Sequence, residues 1–168
     1  MTENPAHFEI AVLASGCFWG TEYYLKKLPG VFQTKPGYTG GHIDNPTYEM
    51  VCTGTTGHAE AVEVYFDTTI NTYEEVLKYF FETHIFIQKG GIGPDIGDQY
   101  RSEIFYLTES QRETAVRIIN ELIDKGFDVQ TKLTKFSSFW EAELYHQNYY
   151  YKKGGTPYCH IYKKIFAD

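Results

Sequence analysis

The chain has 168 residues, of which 42% are hydrophobic and 22% charged, as in a globular domain that buries roughly 70% of its unfolded surface. The formal net charge of -7, with scattered lysines and arginines, argues against nucleic acid as a partner. No apolar run approaches the roughly 18 residues of a membrane span, and the first residues lack a signal-peptide pattern. We therefore expect one cytoplasmic domain, residues 1–168, that binds neither nucleic acid nor membrane.

The spacing of apolar residues, glycines and prolines predicts the elements in chain order. The first half predicts a strand over 8–14, a helix over 18–28, a strand over 31–38, a loop over 40–57 and a strand over 59–67. The second half predicts a helix over 72–84, a loop over 88–99, a strand over 102–107, a helix from 109, a strand over 127–134, a helix over 142–151 and an irregular C-terminal arm over 155–168. This order predicts an α+β fold, a two-layer α/β sandwich with a ferredoxin-like split βαβ core and an added helix and strand.

The chain contains three cysteines, Cys17, Cys52 and Cys159. An odd and small number of cysteines does not build a disulfide framework, so the composition indicates a reducing compartment. Cys17 lies in the stretch SGCFWG, residues 15–20, where a strand ends and a helix begins. Unpaired backbone N–H groups and the positive end of the helix dipole favour a thiolate there. The alternative is a buried structural cysteine.

Glu60 is the second candidate, because it shares one face of its predicted strand with Val62, Val64 and Phe66. Apolar surroundings raise the pKa of a carboxyl group, which then stays protonated near neutrality and can donate a proton. The alternative is an exposed residue at a frayed strand start.

Four further side chains are candidates with plainer alternatives. Tyr48 and Tyr100 can donate hydrogen bonds to an oxygen, although most tyrosines in a chain with 15 of them are simply packed. Asp95 lies in a glycine-rich loop, where a turn residue is the default. Cys159 follows a glycine pair on the arm, which could swing a second sulfur onto the first cysteine, or it is a packed tail cysteine.

Metal ligation is the competing use of cysteine and histidine. The pairs Cys52/His58 and Cys159/His160 do not provide the two close ligand pairs of a zinc site, and the other histidines are scattered. No glycine-rich loop matches a phosphate-binding pattern. Cys52 is interpreted as a small apolar filler. We expect neither a metal nor another cofactor.

Several short blocks follow one another along residues 8–160. They are GCFWG at 16–20, GYTGG at 37–41, NPTY at 45–48, TGHAE at 56–60, DIGDQYRS at 95–102 and AELYHQ at 142–147. Together they resemble peptide methionine sulfoxide reductase of the A type. The resemblance implies reduction of methionine-S-sulfoxide in proteins and peptides, and of the free amino acid, as repair after oxidative damage.

The resemblance also implies roles in the chemical step. Cys17 attacks the sulfoxide sulfur and becomes a sulfenic acid, while Glu60 protonates the leaving oxygen. Tyr48 and Tyr100 hydrogen-bond that oxygen. A thiolate and a neutral acid must then coexist near pH 7, which opposite environments can arrange.

The remaining implied roles concern binding and recycling. Phe18 and Trp19 form the apolar wall that receives the S-methyl group, and Asp95 helps to position the substrate. Cys159 resembles the tail cysteine that converts the sulfenic acid of Cys17 into a disulfide, which thioredoxin reduces. We expect the protein to be a monomer without a cofactor.

The chain departs from the family's pattern in one segment. Residues 84–87 read HIFI where many members have His-Asp-Pro-Thr, and residues 90–93 read GGIG where many have Asn-Arg-Gln-Gly. Three other functions stay open at this point, one of which is a purely structural role. A thiol-based peroxide sensor would form a sulfenic acid without releasing methionine, and a non-catalytic aromatic binding module would keep its function in a Cys17→Ser variant.

Overall fold

A computed structural model describes residues 5–157 and 160–166, which are built around one six-stranded sheet. Its strands are β1 Phe8–Ser15, β2 Val31–Thr39, β3 Ala59–Asp67, β6 Ser102–Tyr106, β7 Lys132–Lys135 and β8 Phe139–Glu141. They lie in the order β7-β6-β1-β3-β2-β8, with β6 and β7 parallel and the other neighbours antiparallel. A separate two-stranded hairpin consists of β4 Gly91–Ile92 and β5 Asp95–Ile96.

Five α-helices accompany the sheet in the part of the chain described. They are α1 Phe18–Leu25, α2 Tyr48–Cys52, α3 Tyr73–Glu82, α4 Glu109–Asp124 and α5 Tyr149–Lys153. Threonine side chains cap α3 and α4, where Thr72 and Thr108 accept hydrogen bonds from the amides of Glu75 and Gln111. Over residues 5–157 and 160–166, no helix is both long enough and apolar enough to span a bilayer.

A hydrophobic core covers each face of the sheet, and one of the two cores is larger than the other. The larger core lies between the sheet and the helices, and it takes Ala11 and Leu13 from β1. The smaller core takes the intervening residues Val12 and Ala14, which pack with alanines of β3 and with Phe105. Because successive strand residues face opposite sides, the near-continuous apolar run of β1 supplies both cores.

The predicted mixed fold of helices on an open mixed sheet is confirmed, while its ferredoxin-like assignment stays a prediction. The alternation in β3 is also confirmed. Its apolar residues Val62, Val64 and Phe66 all belong to the helix-covered core. Glu60 has the same parity along β3, which places it on this face.

Four local predictions are wrong. The loop predicted over 88–99 contains the β4–β5 hairpin and a 3₁₀ turn that begins at Asp98. The loop predicted over 40–57 contains α2, and the strand predicted over 127–134 is confined to Lys132–Lys135, where pairing with β6 determines the register. The helix predicted over 142–151 is divided. Its first part forms a 3₁₀ turn at Leu144–His146, and α5 begins only after Asn148, which has a left-handed φ of 55°. The break before α5 depends on a distant contact, because the Asn148 amide donates to Glu22 Oε1 at 2.7 Å.

Candidate active site

Cys17 is the residue at which strand β1 gives way to helix α1. It caps α1 with an extended backbone, and its carbonyl oxygen accepts hydrogen bonds from the amides of Gly20 and Thr21. The residue is 8% exposed, so its thiol is close to the surface without being freely solvated. The sequence therefore placed this cysteine correctly at a helix N-terminus, where the helix dipole favours a thiolate.

Gly16 explains the first glycine of the SGCFWG stretch. Its φ is 85°, a left-handed conformation that side chains other than glycine rarely adopt. A Cβ at this position would also lie 2.8 Å from the Cβ of Ile92, which is fully buried. The loop that carries β4 and β5 thus packs directly on the turn that holds Cys17.

The Glu60 carboxyl lies at the beginning of α1, next to Cys17 in the structure. Its Oε1 accepts a hydrogen bond from the Phe18 amide at 3.2 Å, across 42 residues of sequence. The residue is 1% exposed, and within the described part of the chain its Oε2 has no hydrogen-bond partner. A buried carboxyl oxygen without a partner is unusual, and it leaves one acceptor or one O–H donor available to a bound molecule.

The electrostatic environment of Glu60 favours its neutral form. Burial raises its pKa to about 8, the Phe18 amide opposes this rise, and the charge of Asp95 adds to it. A carboxyl group with this pKa is mostly protonated at pH 7 and can act as a proton donor. The burial predicted for Glu60 is confirmed.

Tyr48 and Tyr100 both lie within electrostatic range of Glu60. Burial is the largest cause that raises the pKa of each tyrosine, to about 12 for Tyr100, and the charge of Glu60 is the second. Each hydroxyl therefore keeps its proton near neutrality. The amide of Tyr48, the first residue of α2, donates to Glu143 Oε2 at 3.2 Å, which fixes the start of that helix.

Cys52 ends helix α2 and differs from its prediction. It is exposed, so its interpretation as an apolar filler is wrong. Its thiol is hydrogen-bonded to the hydroxyl of Tyr48, and partial desolvation of the sulfur raises the thiol pKa. Cys52 therefore borders the candidate site through its hydrogen bond with Tyr48, one of the predicted site residues.

The aromatic residues after Cys17 have different environments. Phe18 is 1% exposed, with its ring 5.6 Å from that of Tyr38. Trp19 is half-buried, and its indole N–H donates to His146 Nδ1 at 2.9 Å. Its ring stacks on Tyr149, with centroids 3.8 Å apart and planes 9° from parallel. The two side chains can offer an apolar wall to a methyl group.

His146 and Tyr149 are site residues that sequence reasoning missed. His146 is fully buried, and its ring packs against the rings of Phe18, Trp19 and Tyr48. The centroids of the His146 and Tyr48 rings are 4.5 Å apart. The available signal is the late AELYHQ block, which contains His146 but supports only the resemblance. Both residues come from the chain segment that the sequence assigned to one continuous helix.

Of the two remaining predicted site residues, the structure describes Asp95 but not Cys159. Asp95 lies on β5, and its charge acts on Glu60 and on Tyr100, so it borders the site. Cys159 lies outside the described residues. Across residues 5–157 and 160–166, no group of three or more His, Cys, Asp or Glu side chains has an arrangement suited to a metal ion. The arrangement is thus one of a thiol, a neutral acid, two phenols and an aromatic wall.

Comparison with protein families gives one match that spans nearly the whole chain. The model of the family described as peptide methionine sulfoxide reductase matches residues 9–168. A relative from Saccharolobus solfataricus, named peptide methionine sulfoxide reductase MsrA, is 46% identical over 169 residues, covering 95% of this chain and 96% of the relative. A protein of the same name from Thermus thermophilus is 47% identical over 154 residues, covering 91% of this chain and 88% of the relative.

Solved structures agree with these sequence relatives. Reduced Mxr1 from Saccharomyces cerevisiae superposes with a TM-score of 0.89 at 31% identity, covering 96% of both chains. Methionine sulfoxide reductase A of Corynebacterium diphtheriae superposes with a TM-score of 0.79 at 30% identity, covering 93% of this chain and 86% of that one. Mxr1 has also been solved in complex with Trx2, where the likeness of fold has a TM-score of 0.65 at 22% identity over 97% of this chain and 95% of that one.

Proposed function

We propose that this chain, which belongs to the peptide methionine sulfoxide reductase family, reduces methionine-S-sulfoxide with Cys17 as nucleophile and Glu60 as proton donor. The substrate is an oxidised methionine in a protein or peptide, or the free amino acid, and the product is methionine. The single observation that carries this proposal is the hydrogen bond from the Phe18 amide to Glu60 Oε1. It brings a neutral acid to the residue that follows the candidate nucleophile.

The chemical step requires a charged sulfur and an uncharged acid at the same time. The Cys17 thiolate forms a bond to the sulfoxide sulfur, and Glu60 transfers its proton to the sulfoxide oxygen, because an unprotonated oxygen leaves poorly. The S–O bond of the substrate then breaks, the protonated oxygen passes to the Cys17 sulfur as a hydroxyl group, and the bond between the two sulfurs breaks. Methionine is released and Cys17 is left as a sulfenic acid, so the substrate sulfur is reduced and the cysteine sulfur is oxidised. The raised pKa of Glu60 supplies the proton near neutral pH.

The surrounding residues hold the substrate in this scheme. Tyr48 and Tyr100 keep their protons near neutrality, and they donate hydrogen bonds to the sulfoxide oxygen. Phe18 and Trp19 receive the S-methyl group, with the indole held between His146 and the ring of Tyr149. Asp95 positions the substrate from the β4–β5 side of the site. A pocket of fixed handedness accepts one sulfoxide epimer.

The recycling step uses a second cysteine, Cys159, which lies on the C-terminal arm. Cys159 attacks the sulfenic acid of Cys17, which forms a disulfide and releases water. A thioredoxin then reduces the disulfide by thiol exchange. The yeast relative Mxr1, known in complex with Trx2, supports this choice of reductant. We further propose that residues 1–168 form one catalytic domain that works as a cytoplasmic monomer without a cofactor.

The proposed activity is tested by a single-turnover assay with separated sulfoxide epimers and no added reductant. The purified protein should release about one methionine per chain from the S epimer and none from the R epimer. Cys17→Ser should release none, because the hydroxyl is a far weaker nucleophile than a thiolate.

The same assay distinguishes two of the other functions. A peroxide sensor would form a sulfenic acid with hydrogen peroxide yet release no methionine from either epimer. A non-catalytic binding module would release no methionine and would still bind its ligand after Cys17→Ser. Either result would overturn the proposed reductase.

A further inference from the structure

The residue that follows Cys159 in the sequence is anchored inside the protein. His160 is 1% exposed, and its Nε2–H donates to the carbonyl oxygen of Ser15 at 2.6 Å. Ser15 lies two residues before Cys17. Burial lowers the pKa of His160 to about 4, so near neutral pH the imidazole is neutral and this bond uses its single N–H. The arm is therefore tied to the turn that holds the nucleophile.

Helix α1 provides the slot in which His160 lies. A Cβ at Gly20 would be 2.2 Å from His160 Nδ1, so only glycine leaves room for the ring there. One turn further along the helix, the Tyr24 hydroxyl donates to the carbonyl oxygen of His160 at 3.2 Å. The second glycine of the SGCFWG stretch thus accommodates the arm, as the first accommodates Ile92.

The rest of the arm is held by the end of helix α3. Glu82 Oε2 accepts the amides of Ile165 and Phe166 at 2.8 and 3.1 Å, and its carbonyl oxygen accepts the amide of Lys163 at 2.7 Å. On the other side, Gly154 and Gly155 have left-handed φ values of 78° and 85°, and a Cβ at either position would meet no atom within 4 Å. The expected swinging arm is thus anchored over residues 160–166.

We propose that His160 is a positioning residue for recycling, whose bond to Ser15 helps the Cys159 thiol to reach Cys17. This inference rests on the proposed function of Cys159. Consecutive Cα atoms are about 3.8 Å apart, so an anchored residue 160 restricts how far its neighbour can move. Such restriction raises the effective concentration of the second thiol at the sulfenic acid.

The assisted step is balanced within the protein. The Cys159 sulfur forms a bond to the Cys17 sulfur, the S–O bond of the sulfenic acid breaks, and the thiol proton leaves with the hydroxyl as water. The Cys159 sulfur is oxidised and the sulfenic sulfur is reduced. His160 does not touch the reacting atoms, so its effect must appear in this step and not in methionine release.

The test follows both steps after one equivalent of methionine-S-sulfoxide. Methionine release reports the attack of Cys17, and acid-quenched mass spectrometry reports the Cys17–Cys159 disulfide. In His160→Ala we expect release at the wild-type rate and disulfide formation at least tenfold slower, with the sulfenic acid trapped by dimedone. His160→Gln retains a side-chain N–H donor and should recover most of the lost rate.

A second variant covers the case in which His160→Ala does not fold. Tyr24→Phe removes only the hydroxyl that holds the His160 carbonyl oxygen, and it should slow disulfide formation several-fold with unchanged methionine release. An unchanged disulfide rate in the folded variants, or an equal loss of both steps, would overturn the positioning role. Absence of a Cys17–Cys159 disulfide in the wild-type protein would instead overturn the recycling part of the proposed function.

Discussion

Glu60 illustrates at the scale of one residue how burial creates a reagent. An exposed glutamate is ionised at pH 7, whereas the pKa of about 8 at this position leaves the carboxyl mostly neutral. The Phe18 amide holds Oε1 and leaves Oε2 for a bound oxygen. Desolvation is thus used for chemistry, at a cost in stability once the pH exceeds the pKa of the unfolded carboxyl.

We expect Glu60→Gln to slow single-turnover methionine release by about 10²- to 10⁴-fold, because an amide cannot supply the proton. In the wild-type protein the rate should fall as the pH rises through 8, when Glu60 loses its proton, and the variant should lack this alkaline decrease. Glu63→Gln is the matched control, because Glu63 has the opposite parity on β3 and should leave the rate unchanged. A near-wild-type rate in Glu60→Gln would remove Glu60 from the mechanism.

The β1–α1 turn shows at the scale of elements how backbone geometry and packing act together. Gly16 meets two demands, a left-handed φ of 85° and contact with Ile92 of β4. The loop that brings Asp95 to the site is therefore fastened to the turn that carries the nucleophile. Its sequence, which departs from the family's pattern, still provides this contact.

Gly16→Ala should lower the free energy of unfolding by about 2–5 kcal/mol, the sum of left-handed strain and overpacking against Ile92. It should also slow methionine release, since Cys17 is the next residue. Gly126→Ala is the control, because its φ is 98° and a Cβ there meets no atom within 4 Å. We expect it to cost about 1 kcal/mol and to leave the rate unchanged. Urea unfolding and the single-turnover assay measure both effects, and equal losses in the two variants would contradict the packing argument.

Buried histidines connect the elements at the scale of the whole molecule. His84 joins the end of α3 to β6, since its Nδ1–H donates to the Phe80 carbonyl oxygen at 2.6 Å and its Nε2 accepts from the Ser102 hydroxyl at 2.8 Å. His160 joins the C-terminal arm to β1. Burial lowers the pKa of both rings, to about 3 for His84 and about 4 for His160.

These shifts predict a loss of stability in acid. Below pH 6.5 the unfolded chain binds protons on both histidines, whereas the folded protein does not. The contribution of the two histidines to the free energy of unfolding is therefore complete above pH 6.5 and declines below it. For His84→Gln, the stability difference from the wild-type protein should narrow by up to about 1.4 kcal/mol per pH unit between pH 6.5 and 3. Urea unfolding at several pH values measures it, and a difference independent of pH would contradict the prediction.

The sequence correctly predicted the structural features that depend only on residues close together in the chain. The alternation of β3, the threonine caps of α3 and α4, and the position of Cys17 before a helix each depend on backbone geometry within one or two turns. The division of residues 142–151 was missed because distant residues hold the break, where the Asn148 amide donates to Glu22 Oε1 at 2.7 Å and Gln147 Nε2 donates to the Pro36 carbonyl oxygen at 3.1 Å. His146 and Tyr149 were missed with it.

The sequence by itself determined the longer elements β1, β2, β3, β6, α1, α3 and α4, together with the cysteine at a helix start and the strand face of Glu60. Periodicity and capping are encoded by adjacent residues, which is why these features could be predicted. Only the tertiary structure decided that the Phe18 amide meets the Glu60 carboxyl, that Trp19 stacks on Tyr149, and that the imidazole of His160 fills the space above Gly20. These partners are 42 or more residues apart in the sequence. Their meeting depends on how strands pair and helices pack, which no local pattern specifies.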